Sequence, residues 1–304
     1  MVESKWFCIA EHYVCIRFCD TERNTMALLP SFATFATEAP AHGGPLLTLT
    51  VDDTLRPAKD RRLVRKFDTG NGDTLVYQLP DGGYQYIIRD IADRDCCLLI
   101  CNKQFSDCRC ALNGDWTMRS FGLNDALMLA YAFAGAFHDT LLIHASCIMT
   151  STAAAGGLPV AYPFTAKSGT GKSTHTSLWM KHIEDCELLN DDNPIVRIAT
   201  DGTPYIYGSP WSGKTPCYRN VSAPLQALVM LSQAKHNAIT RQKGIQAYAS
   251  IMGSVSGKRW DQQVAEGQHE TENLLAQLVP VWHLECLPDE AAARLCCKHC
   301  SDEE

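Results

Sequence analysis

The densest chemistry in the chain lies in eight residues, Ala166-Lys167-Ser168-Gly169-Thr170-Gly171-Lys172-Ser173. Small residues let the backbone curl so that successive N–H groups point into one anion hole. Lys172 can then reach terminal phosphates, and the Ser173 hydroxyl can meet a magnesium ion. Ser168, Gly169, Thr170, Gly171, Lys172, Ser173 and Thr174 are the expected nucleotide contacts, with ATP and Mg²⁺ the expected ligands. The first glycine of the full Gly-x4-Gly-Lys-Ser/Thr pattern is Ala166 here, one methyl larger, which the loop tolerates if φ at that position is negative. The competing reading is an ordinary glycine-rich turn with a chance Gly-Lys-Ser. The apolar segment 160–164 before the motif, and the helical pattern after it, argue for the phosphate-binding loop.

Asp191 follows Lys172 by 19 residues, the distance of one helix and one returning strand. With Asp192 it forms a carboxylate pair after the apolar Leu188-Leu189. Two such carboxylates can divide labour, one binding Mg²⁺ and the other accepting a proton from an attacking hydroxyl. Asp-Asp-Asn-Pro is also a good turn sequence, so the pair gains weight only beside the loop.

His144 on an apolar segment, then Ser-Gly-x-Gly-Lys-Ser, then Asp-Asp resembles the catalytic domain of the HPr kinase/phosphorylase family, a cousin of phosphoenolpyruvate carboxykinase. The resemblance covers residues 140–240. It implies an α/β fold: a P-loop catalytic domain with a mixed β core and flanking helices, behind an N-terminal β-rich domain. It also implies an ATP-dependent kinase acting on a hydroxyl. Carried over by position, Asp191 would be the general base, Asp192 and Ser173 would hold Mg²⁺, and His144 would sit beside the reacting phosphate or steer Asp191. Thr174 stands where HPr kinases carry a glutamate, and the family's second glycine-rich signature is absent. In its place runs Tyr207-Gly-Ser-Pro-Trp-Ser-Gly-Lys214 with Arg219 behind it, where Lys214 could neutralise charge on the transferring group or lie on a solvated turn. The extended Gly-Lys-Ser-Thr-His-Thr-Ser-Leu-Trp179 is similar to HPr-kinase-like proteins of bacteria, including those that phosphorylate a serine on a small peptide.

The elements that must position these residues follow from periodicity. Residues 6–18, 63–67, 74–79, 84–89 and 96–101 read as strands separated by turns such as 69–73 and 80–83. This β-rich half shows no catalytic constellation and reads as a scaffold or partner-binding module. Asn124 or Asp125 would cap a helix over 126–137, so the expected domains are 1–122 and 123–304. Strands at 141–148 and 159–164, a small-residue turn at 151–157, a helix at 172–183 and a strand at 187–189 complete an α/β pattern. Residues 224–231 read as a strand, with Gln233, Asn237 and Arg241 on a following helical face. The tail from 270 to 297 reads as packing helices or an edge strand.

Composition narrows the class. The 304 residues are 46% hydrophobic and 20% charged, and 27 Lys and Arg against 34 Asp and Glu leave a net charge of −7. That excludes disorder and gives no long-range attraction for nucleic acid or anionic lipid, so an anionic ligand needs a local site. The longest apolar stretch, 126–137, has 12 residues, well short of a membrane span. The N-terminus lacks a basic, then apolar, leader, and the expected location is the cytoplasm. Fifteen cysteines, an odd number, read as free thiols, and the cluster Cys296-Cys297-Lys298-His299-Cys300 lacks the second ligand pair of a structural zinc site. The expected partner is a phosphoacceptor peptide, protein or small molecule, with no nucleic acid and no membrane; the sequence leaves open whether the chain forms a homo-oligomer. The alternative function is a nucleotide-binding regulatory module with little or no transfer; a metabolic carboxykinase fits less well, because no substrate-carboxylate site is visible.

Overall fold

A computed structural model of the chain describes residues 2–68, 70, 72–151, 158–257 and 259–301. It is a mixed α/β structure with several sheets and few helices, in two units, residues 1–135 and 136–304. In the first unit the strands are β1 (Glu3–Ile9), β2 (His12–Phe18), β3 (Ala36–Thr37), β4 (Leu47–Val51), β5 (Arg62–Asp68), β6 (Asp73–Gln78), β7 (Tyr84–Arg89), β8 (Asp95–Cys101) and β9 (Asp107–Leu112). They form one sheet in the order β3-β1-β2-β4-β9-β8-β7-β6-β5. The stretch 6–18 is therefore two strands, reversed at Ala10 and Glu11 with φ of 47° and 61°, the left-handed pair that a tight hairpin needs. In the turn between β5 and β6, Thr69 and Asn71 lie outside the described residues.

Helix α1 (Trp116–Gly135) belongs to this first unit, so the division falls after Gly135, and the boundary expected at 122 lies inside a continuous helix. Asn124 and Asp125 are mid-helix; the cap is Asp115, whose carboxylate accepts from Met118 N at 3.0 Å. Tertiary contacts extend the helix back to 116. The buried Arg119 donates to Leu112 O at 2.9 Å and pairs with Asp53 at 2.6 Å. Gly122 stands where a Cβ would meet Cys96 C and O at 2.9 Å, so it is a packing residue rather than a breaker.

The second unit carries β10 (Thr140–Leu142), β11 (Ala145–Thr150), β12 (Val160–Thr165), α2 (Lys172–His182), β13 (Cys186–Asp192), β14 (Ile195–Ile198), β15 (Pro204–Tyr207), β16 (Ser222–Pro224), β17 (Leu228–Gln233), β18 (Ala238–Gln242), α3 (Ile245–Met252), α4 (Gln262–Leu278), β19 (Val281–Cys286) and α5 (Glu290–Ser301). A six-stranded sheet runs β13-β11-β12-β17-β19-β18, and a four-stranded one β10-β14-β15-β16. In the six-stranded sheet β12–β17 and β17–β19 are parallel and the other pairs antiparallel. Strand alternation divides its side chains between two cores. Ile148, Tyr162, Phe164 and Val229 pack with Trp179 of α2 and with Ala293 and Cys296 of α5. Cys147, Ala161 and Leu228 pack with the four-stranded sheet and with Ile251 and Leu275.

Three expectations are corrected here. The single strand over 141–148 is two strands in different sheets, broken at Ile143 and His144. Gln233, Asn237 and Arg241 do not share a helix, because 238–242 is strand β18, where Arg241 lies over the Trp282 ring at 5.2 Å. The tail supplies β19, an inner strand, rather than an edge. The turn expected at 151–157 lies, but for Ser151, outside the described residues. Among the described residues no helix is long and apolar enough to cross a membrane.

Candidate functional site

The glycine-rich loop leaves β12 at Thr165 and enters α2 at Lys172. Gly169 and Gly171 have φ of 79° and 115°, where a side chain is strained, although the space beside each is open; both are required by backbone conformation, not by crowding. Ala166 is absent from the positive-φ positions, so the methyl that replaces the usual glycine carries no strain. Trp179 anchors the helix behind the loop. It is buried between Tyr162 and Phe164, with ring centroids at 5.2 and 5.5 Å, and donates to His175 Nε2 at 3.0 Å. Burial pushes His175 down to about 4, which keeps it a neutral acceptor for that bond.

Five expected site residues meet in three contacts. Ser173 Oγ donates to Asp191 Oδ1 at 3.0 Å, and Asp191 is only 4% exposed. Lys172 Nζ lies 2.8 Å from His144 Nε2, while His144 Nδ1 lies 3.2 Å from Asp192 Oδ1. An ammonium only donates, so Nε2 accepts and the ring proton sits on Nδ1, pointing at Asp192. Burial lowers the pKa of His144, and Lys172 adds to the effect against the pull of Asp192 and Asp191. Burial also lowers that of Lys172, with Asp192 and Asp191 opposing. His144 is held in the break between β10 and β11, where its N–H donates to Ser254 O at 2.7 Å.

A register shift opposite Cys147 and Ile148 lets Leu189, Asn190 and Asp191 all be buried in succession on β13. Asp192, the last residue of the strand, has φ of 107°, a strained conformation at a chemically equipped position. Its Oδ2 accepts from Asn193 Nδ2 at 2.8 Å. The turn 209–217 is folded against it: Gly213 N donates to Asp191 O at 2.7 Å, and a Cβ on Gly213 would stand 3.0 Å from Asp192 Cβ.

The clamp on that turn is Asn190, which belongs to no motif in the sequence. Its Nδ2 donates to Trp211 O at 3.1 Å and Cys217 O at 3.2 Å, and its Oδ1 accepts from Asn193 N at 3.0 Å. The signal was a polar residue inside an apolar strand, next to two carboxylates. Lys214, in the same turn, is exposed and makes no hydrogen bond or ion pair with the network. Arg219 faces the other way, bonding Leu188 O at 2.5 Å and Glu187 at 3.0 Å. Gln233 does reach the loop, from a strand end, donating to Thr170 O at 3.2 Å.

Two cavities flank the loop. One of about 730 Å³ is lined by His144, Thr165, Lys167, Met230 and the α3 residues Ala249 and Gly253. The other, of about 570 Å³, is lined by Thr174, Leu178, Leu231, Leu287 and Pro288. Among the described residues no three His, Cys, Asp or Glu side chains converge to hold a metal, and none of the fifteen cysteines is joined in a disulfide. Ser173 and Asp191 offer two hard oxygens, the partial donor set that suits Mg²⁺, which keeps water and phosphate oxygens in its shell. No protein-family model matches this chain, and no curated protein matches it either.

Proposed function

We propose that this chain is an ATP- and Mg²⁺-dependent kinase of the HPr kinase-like type, moving a phosphoryl group to a hydroxyl of a peptide, a protein or a small molecule. The observation that carries it is the single network running from the loop through Ser173 to Asp191, and through Lys172 and His144 to Asp192. A nucleotide-binding turn needs the first half; a group at the far end able to take a proton is what transfer chemistry adds.

The contacts favour the reverse of the positional assignment of the two carboxylates. Asp191, buried and bonded to Ser173, suits the metal-side role, since loop hydroxyl and strand-end aspartate share that duty in P-loop enzymes. Asp192, half-exposed and facing His144, suits proton acceptance. The magnesium ion would neutralise charge on the phosphates. The acceptor oxygen bonds to the γ-phosphorus, the bond from that phosphorus to the β–γ bridging oxygen breaks, ADP leaves, and the hydroxyl proton passes to Asp192. His144 holds the Asp192 carboxylate by its Nδ1–H, and Lys172 is the cation nearest the terminal phosphates. Lys214, exposed and unpaired, enters this reading only if the turn 209–217 moves.

The test compares Asp191→Asn and Asp192→Asn across a Mg²⁺ titration, reading nucleotide binding by calorimetry and turnover as phosphate released from ATP. Asp192→Asn should keep binding and lose on the order of 10²-fold in turnover; Asp191→Asn should need more Mg²⁺. Wild-type protein that binds no Mg·ATP would end the reading. ATP binding with no turnover, unchanged by Asp192→Asn, would leave a nucleotide-gated regulator.

A further inference from the structure

The two cavities are adjacent and share a rim, formed by Gly169 and Thr170 of the loop and by Leu231, Ser232 and Gln233 at the end of β17. Gln233 bridges that rim through its bond to Thr170 O. A phosphate chain held in a loop of this kind has two ends, one carrying the nucleoside and one presenting the terminal phosphorus to an acceptor. Each end needs its own cavity, and the linings differ.

The larger cavity contains His144, the residue linking Lys172 to Asp192. Its lining includes Lys167 and several hydroxyls but no carboxylate, and the buried Thr165 hydroxyl in its wall has no hydrogen-bond partner. The smaller cavity begins at Thr174 on the first turn of α2 and is walled by Leu178, Leu231, Leu287 and Pro288. Those four side chains offer apolar faces for a flat heteroaromatic base, and Ser232 and Gln233 stand at the rim with polar groups for its edge.

We propose that the smaller cavity takes the purine base of the nucleotide, and that the larger one is left for the acceptor, a hydroxyl compound or side chain that is neutral or anionic. This rests on the nucleotide reading above, and deepens it by fixing the direction in which the nucleotide lies. The larger cavity has the volume of a small-molecule or single-side-chain site. Lys167, exposed at its edge, is free to meet an acceptor carboxylate or phosphate.

Photolabelling of the full chain with 8-azido-ATP and Mg²⁺, with labelled peptides mapped by mass spectrometry, tests the direction. Label protected by ATP should fall on residues 174–178 or 286–288. ATP-protected label on 230 or 249–254 would overturn the proposal while leaving nucleotide binding intact, and the absence of any ATP-protected label would overturn the nucleotide reading itself. Binding of a fluorescent ribose-labelled ATP by two surface variants provides a second readout. Leu287→Glu, at a residue 38% exposed, should weaken it at least about tenfold, because a carboxylate then lies against the base and near the phosphates. Ala249→Trp, which fills the larger cavity from an exposed position on α3, should leave it within about twofold. The opposite pattern would reverse the two assignments and refute the proposal.

Discussion

Replacing Asn190 should loosen the second unit by several kcal/mol without touching the glycine-rich loop. The side chain is fully buried, and its amide is shared among backbone groups that come together only in the folded chain. In Asn190→Ala, Trp211 O keeps the bond from Ser209 Oγ at 2.9 Å, whereas Cys217 O and Asn193 N lose the partners they have in Asn190. A buried polar group stripped of its partner costs about 1–3 kcal/mol, so two of them sum to about 2–6 kcal/mol. For a unit of this size that lowers the melting temperature by about 10 °C. Asn190→Asp is the sharper test, being nearly the same shape: it turns a donor toward two carbonyls into a third carboxylate beside Asp191 and should cost at least as much as alanine. Calorimetry of the full chain, which separates transitions when units melt independently, gives the measurement. If both variants melt within 1–2 °C of wild type, the clamp contributes nothing and the proposed order of the turn 209–217 is wrong.

Gly213→Ala places a methyl 3.0 Å from Asp192 Cβ, so the carboxylate must shift; turnover should fall at least about tenfold while the Kd for Mg·ATP stays within about twofold, checked by steady-state kinetics and calorimetry. Lys214→Ala should change neither quantity by more than about twofold, given its exposed and unpaired side chain; a tenfold fall in kcat would show that the turn closes onto the phosphates. Burial on α1 pushes Asp125 up to about 7, so its neutral form is the one the fold prefers. Its contribution is fully present below the unfolded value of 3.8 and is lost as pH rises through about 7. Asp125→Asn should therefore raise the melting temperature at pH 8 relative to wild type and leave it nearly unchanged at pH 4. The gap of about 3 units caps the gain at ~4 kcal/mol, and residual water contact at this partly exposed side chain reduces it.

The loop was legible because its chemistry is local. Gly169 and Gly171 are needed for their own dihedral angles, and Lys172 and Ser173 follow on the next turn, so eight consecutive residues carry the pattern. The same holds for β12, α2 and β13, whose order along the chain set Asp191 and Asp192 near the loop. The helix α1 was only half legible, because residues 116–122 owe their helical state to Arg119 reaching Asp53 and to Gly122 lying on β8, contacts that no window of neighbouring residues contains. The false helix through Gln233, Asn237 and Arg241 failed for the complementary reason: pairing of β18 with β19 outweighed a spacing of four.

Sequence alone determined the ingredients: a phosphate-binding turn, a carboxylate pair and a histidine, with an acidic overall charge that confines anion binding to a local site. Tertiary structure decided which carboxylate meets which partner. The two aspartates are adjacent in the chain and identical in type, but strand alternation turns Asp191 inward to Ser173, and the positive φ at Asp192 turns the next one toward His144. It also decided that Asn190 is the clamp, Arg219 is turned away and Lys214 stands in solvent. Those outcomes depend on where residues 21 to 31 positions apart come to lie once the sheets have paired, and spacing along the chain carries no record of that.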